Sequence, residues 1–97
     1  MKFKIKYSNE AAAQFLELEN NNHKKKQFKA VAKTLGLMQV NLRHPSLQTH
    51  KFDDIISPLG KEVFESYAEN KTPGAYRVFW CYGPERGYIY IIAITVL

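Results

Sequence analysis

The chain has 97 residues, 45% hydrophobic and 24% charged, with a formal net charge of +5. That is enough for one hydrophobic core and one domain, residues 1–97, and it excludes an intrinsically disordered chain. The apolar run from Ile89 to Leu97 is too short to span a bilayer as a helix, which argues against a membrane protein.

The charge is unevenly spread. Residues 1–52 hold nine Lys and one Arg against three Glu, a net of +7, and residues 53–97 carry a net of −2. A basic half suggests an anionic partner, nucleic acid or an acidic protein; lysines that merely keep the domain in solution are the plain alternative. The start, Met1-Lys2-Phe3-Lys4-Ile5-Lys6, has no apolar run and does not read as a secretory signal. A single cysteine, Cys81, excludes an internal disulfide and fits a reducing compartment, so a cytoplasmic location is expected.

In chain order, residues 2–7 alternate Lys with Phe3, Ile5 and Tyr7, the period of a half-buried strand. Ser8-Asn9-Glu10 then offers a capping side chain and an acid at a helix start. A first helix is expected over 10–19, burying either Ala11, Phe15 and Leu18 or Ala12, Phe15 and Leu16. Asn20-Asn21-Asn22 breaks it. A second helix is expected over 24–41, with Phe28, Val31, Leu35, Met38 and Leu42 at spacings of three and four. The short connection implies an antiparallel helical hairpin. Core packing is the expected fate of that stripe; a coiled-coil dimer would need more than two heptads. Gly36 interrupts the helix at a cost of roughly 1 kcal/mol relative to Ala.

Arg43-His44-Pro45-Ser46 ends the helix, residues 47–52 read as a strand or an extended segment, and residues 53–61 as irregular. Strands are expected over 62–69, 75–82 and 88–96. The turns over 70–74 and 83–87 place Gly and Pro where hairpins use them. The last strand is apolar on both faces and should be interior. The order β-α-α-β-β-β-β predicts an α+β domain, with the helical hairpin on one face of a mostly antiparallel twisted sheet and the other face open.

One cation, Arg77, sits inside the aromatic strand that follows the Pro73-Gly74 turn. An unpaired guanidinium is costly to bury. It either lines an open groove as a phosphate ligand or is neutralised across the sheet. In a regular hairpin, residues whose numbers sum to about 144 face each other. Tyr67 then opposes Arg77, with Glu65 and Glu69 at the diagonals, within reach of long side chains.

Lys25, Lys29 and Lys33 form a basic ridge away from the apolar stripe, suited to RNA backbone or an acidic partner, or simply a solvated helix face. His50 beside Lys51 is a candidate general acid or base, with an exposed bystander as the alternative. His23, His44, His50 and Cys81 lack metal-site spacing, so neither metal nor cofactor is expected. Cys81 reads as a packed thiol.

The stretch Pro73-Gly74-Ala75-Tyr76-Arg77-Val78-Phe79-Trp80, with the helical hairpin before it and the Ile-rich strand after it, resembles the RelE/ParE superfamily of bacterial toxins. The resemblance covers nearly the whole chain. It implies a toxin of a type II toxin–antitoxin pair, with an antitoxin protein as partner. RelE-like members cut messenger RNA on the ribosome without a metal, the 2′-hydroxyl attacking the adjacent phosphate. ParE-like members poison DNA gyrase instead, and fold alone does not choose between these activities. A fold-retaining binding module without catalysis is the alternative from another class.

By the resemblance, Arg77 matches the arginine of the RelE-type groove, and His50, Lys51 and Lys61 are loose matches to its other basic residues. Relatives carry an Arg, His or Tyr after the last strand. Thr95-Val96-Leu97 supplies none, and slow or absent RNA cleavage is the expectation.

Overall fold

The structure, a computed structural model, describes residues 2–70 and 73–96. Its elements are β1 (Lys4–Tyr7), α1 (Asn9–Glu19), α2 (Lys25–Val40), a 3-10 turn over Pro45–Leu47, β2 (His50–Lys51), β3 (Phe64–Tyr67), β4 (Tyr76–Tyr82) and β5 (Tyr88–Val96). The strand order is β1-β5-β4-β3-β2. β1 runs parallel to β5, and every other pair is antiparallel. The expected α+β architecture holds, with β5 interior. Lys71 and Thr72 of the expected 70–74 turn lie outside the described residues, as does Leu97.

α1 begins where Ser8 turns extended and its Oγ accepts from the Ala11 amide at 2.9 Å. The same hydroxyl donates to the Ile92 carbonyl at 2.7 Å. Gln14 Oε1 accepts from the Ile94 amide at 2.6 Å. β1 ends with Tyr7 against Ile91, so these two side chains satisfy β5 backbone groups beyond its reach. Ala11 and Leu18 are buried and Leu16 is exposed, which selects the first of the two expected faces. Phe15 packs on Phe28 at 5.3 Å between ring centres.

α2 turns Val31, Leu35 and Met38 into the core, as its period requires, and leaves Gly36 on the exposed side. These residues cover Val78, Trp80, Ile89, Ile91 and Ile94 of the sheet. Trp80 donates its indole N–H to Ser66 Oγ at 2.9 Å, and Ser66 Oγ meets Thr49 Oγ1 at 2.7 Å. A buried indole thereby keeps its hydrogen bond.

Phe79 opposes Ala93 while Trp80 opposes Ile91, so Ile92 is an extra residue in β5. The bulge keeps Ile91 and Ile94 on the helical face and turns Ile92 to the other. There Ile92, Val63 and Cys81 form a second, smaller core with Phe52, Ile55 and Leu59. The stretch expected to be merely irregular over 53–61 therefore covers one end of the face expected to be open. Apolar side chains at Phe52, Ile55 and Leu59 drive it down onto the sheet.

Two further expectations are corrected. The strand or extended segment over 47–52 is a strand only at His50 and Lys51, and a 3-10 turn over Pro45–Leu47 precedes it, because Pro45 suits a helical first turn. The strand over 62–69 is ordered in ladder form only over 64–67.

Candidate functional site

β3 and β4 pair in the register that places Tyr67 opposite Arg77 and Glu65 opposite Phe79. β2 adds His50 opposite Glu65. Alternation along the strands puts His50, Glu65, Tyr67 and Arg77 on the face away from the helices, beyond the small core around Cys81.

The centre of this cluster is a carboxylate. The Glu65 side chain is 3% exposed and that of Arg77 13% exposed. Glu65 Oε1 lies 2.6 Å from His50 Nε2, and Oε2 lies 3.6 Å from Arg77 Nε. The second distance is an ion pair but too long for a hydrogen bond. Glu65 Oε2 and Arg77 Nε, both buried, find no hydrogen-bond partner among the described residues.

Arg77 is held by other contacts. Its Nη1 donates to the carbonyls of Glu69 at 2.7 Å and Tyr76 at 3.3 Å. Its guanidinium carbon sits 3.8 Å from the centre of the Tyr67 ring. The sequence left Arg77 as either phosphate ligand or ion pair; the geometry is that of the ion pair, with Glu65. Glu69 does not share it through its carboxylate. That group turns back to accept from the Tyr76 amide at 3.1 Å and closes its own hairpin.

His50 Nδ1 meets the Gln48 carbonyl at 2.9 Å. Carbonyl and carboxylate are both acceptors, so each ring nitrogen already faces an acceptor of the protein itself. In this arrangement neither nitrogen is free to take a substrate proton. The ring also stands edge-on to Tyr67 at 5.8 Å.

The remaining basic candidates do not join this cluster. Lys51 follows His50 on a strand and so points to the opposite face, where it pairs with Glu62 at 3.2 Å. Lys61 belongs to the covering loop. Lys25, Lys29 and Lys33 are exposed on α2, the helix that packs on the other face of the sheet. Cys81 is fully buried. Burial pushes its thiol up; a Ser57 hydrogen bond and the Lys61 charge pull it part of the way back. That is a packed thiol, not an activated one. Among the described residues, no group of three His, Cys, Asp or Glu gathers as metal ligands would. No helix there is long and apolar enough to cross a membrane.

The His50 contact was the part least visible beforehand. A two-residue strand carries almost no pattern, so its register could not be read from the sequence.

Comparison with known proteins finds likeness at the level of fold. The YoeB dimer from Staphylococcus aureus shares 16% identity at a TM-score of 0.65, over 100% of this chain and 99% of that one. The archaeal RelE–RelB complex from Pyrococcus horikoshii OT3 shares 10% at 0.66, over 99% and 96%. The E. coli DinJ–YafQ toxin–antitoxin complex shares 11% at 0.66, over 99% and 93%. No family model and no curated protein matches the chain. The architecture is similar to that of these three structures, and at these identities the likeness is one of fold.

Proposed function

We propose that this chain, as one domain with a RelE/ParE-type fold, is the toxin-like component of a type II toxin–antitoxin pair. The observation that carries the reading is whole-length structural likeness to YoeB, to RelE in its complex with RelB, and to YafQ in a toxin–antitoxin complex with DinJ. The +7 of residues 1–52 suits an acidic antitoxin segment, and Lys25, Lys29 and Lys33 offer it an exposed basic ridge. A cytoplasmic site of action is part of the same proposal.

On ribosome-bound messenger RNA we propose weak cleavage or none. Phosphoryl chemistry of this kind needs cations free to meet charge that develops on the phosphate. Arg77 instead faces its own carboxylate, and Lys51 lies on the other side of the sheet. This favours a second reading, in which the fold serves as a binding module and acts through protein contact. His50, Lys51 and Arg77 remain the residues to test for catalysis, and Lys25, Lys29, Lys33 and Lys61 for RNA contact.

Co-expression with the product of the adjacent reading frame, followed by pull-down, tests the pairing. A stable complex that relieves growth inhibition supports it; no complex with either neighbour refutes it. Primer extension on translating ribosomes tests the activity. Rapid cleavage would refute the weak-activity reading. Where slow cleavage is seen, Arg77→Ala should abolish it, and equal cleavage by that variant would remove Arg77 from the site.

A further inference from the structure

We infer that Glu65 occupies a latent oxyanion site formed by Arg77 and His50, so that the chain carries a phosphate-type site closed by its own carboxylate. The Arg77 guanidinium and the His50 imidazole converge on one point from β4 and β2, the strands on either side of β3. Tyr67 walls the space between them, stacked on the guanidinium and edge-on to the imidazole. The group at the point of convergence is an anion, 97% removed from solvent.

The fit of that anion is incomplete. Glu65 reaches His50 well, at 2.6 Å, but stands 3.6 Å from Arg77 Nε. One carboxylate oxygen and one guanidinium N–H face each other without a hydrogen bond. A carboxylate tethered to β3 is fixed by its own backbone. A free tetrahedral oxyanion has no such tether and more oxygens, and can bond the guanidinium and the imidazole at once. His50 is half exposed and lies at the edge of the sheet, which gives the route in.

The chemistry of the ligand is therefore that of a phosphate or sulfate oxyanion. In the native chain Glu65 excludes it, by filling the space and by cancelling the charge. Glu65 is an autoinhibitory residue for this site. The inference builds on the proposed toxin-type function only in linking the site to RNA phosphate. The test uses no RNA, ribosome or antitoxin, so its failure would leave the toxin–antitoxin reading standing.

The experiment titrates inorganic phosphate into wild type, Glu65→Ala and Glu65→Ala/Arg77→Ala, by calorimetry and by thermal shift, against chloride at matched ionic strength. Phosphate should bind Glu65→Ala on the order of tenfold or more tighter than wild type, the gain that one hydrogen bond to a charged group provides. The gain should disappear in the double variant. If Glu65→Ala does not fold in phosphate-free buffer, Glu65→Ser, which also frees the space and removes the charge, is held to the same comparison. A folded single variant that binds phosphate no better than wild type overturns the inference. So does a gain that survives the loss of Arg77.

Discussion

Tyr67 lies directly across the β3–β4 ladder from Arg77, and the guanidinium carbon sits 3.8 Å from the centre of its ring. The ring covers one face of the Arg77 guanidinium.

Tyr67→Leu keeps apolar cover and removes the ring's negative face. A largely desolvated cation–π contact is worth about 2 kcal/mol or less. Chemical denaturation should show a loss of about 1–2 kcal/mol. No loss would mean that the Arg77 contacts to the Glu69 and Tyr76 carbonyls suffice to hold it.

Arg77→Ala leaves Glu65 buried with His50 as its remaining side-chain partner. Breaking a buried pair by removing one partner typically costs about 3–5 kcal/mol. The long 3.6 Å contact places this pair toward the low end. Glu65→Gln combined with Arg77→Met should cost less than Arg77→Ala alone, because no buried charge is orphaned. A strictly additive double-mutant cycle would show that the two groups do not interact.

Leu35 stands in the middle of the α2 stripe, 5% exposed, against the sheet. Leu35→Ala should cost about 2–5 kcal/mol through lost transfer energy and the cavity left behind. Urea unfolding measures it, and a change below about 0.5 kcal/mol would contradict the packing of this helix.

Cys81 gives the alkaline limb of stability. Burial raises its folded value above the ordinary 9.0, and burial raises Tyr7 above 10.0 in the same direction. Below their ordinary values both groups are neutral in the folded and unfolded chains, and this stability is fully present. As pH rises past about 9 the unfolded chain ionises first, and stability falls until the raised folded values are reached. Cys81→Ala should flatten the first part of that decline. Iodoacetamide at neutral pH should modify the native thiol far more slowly than the unfolded one.

Some of this molecule was legible in its sequence. The three-and-four spacing of Phe28, Val31, Leu35 and Met38 is a local property, set by 3.6 residues per turn, and it fixed the buried face of α2 in advance. The β3–β4 register was legible for a similar reason. A short hairpin turn ties the two strands together, and Tyr67 had to meet Arg77 once the turn length was known. Ser8 announced its cap, since a hydroxyl before a helix start has one nearby task.

Tertiary structure alone decided the rest. Nothing local says that β1 lies parallel beside β5, because the two are joined through the whole chain. Nothing local says that residues 52–61 fold over Cys81, since scattered apolar side chains carry no period. The choice between Glu65 and Glu69 as the partner of Arg77 was equally closed to the sequence. Both were within reach, and the outcome turned on a hairpin amide taking one carboxylate and a two-residue strand bringing His50 to the other. Local periodicity determined which residues this protein buries; only the packing of distant segments determined which charges it cancels.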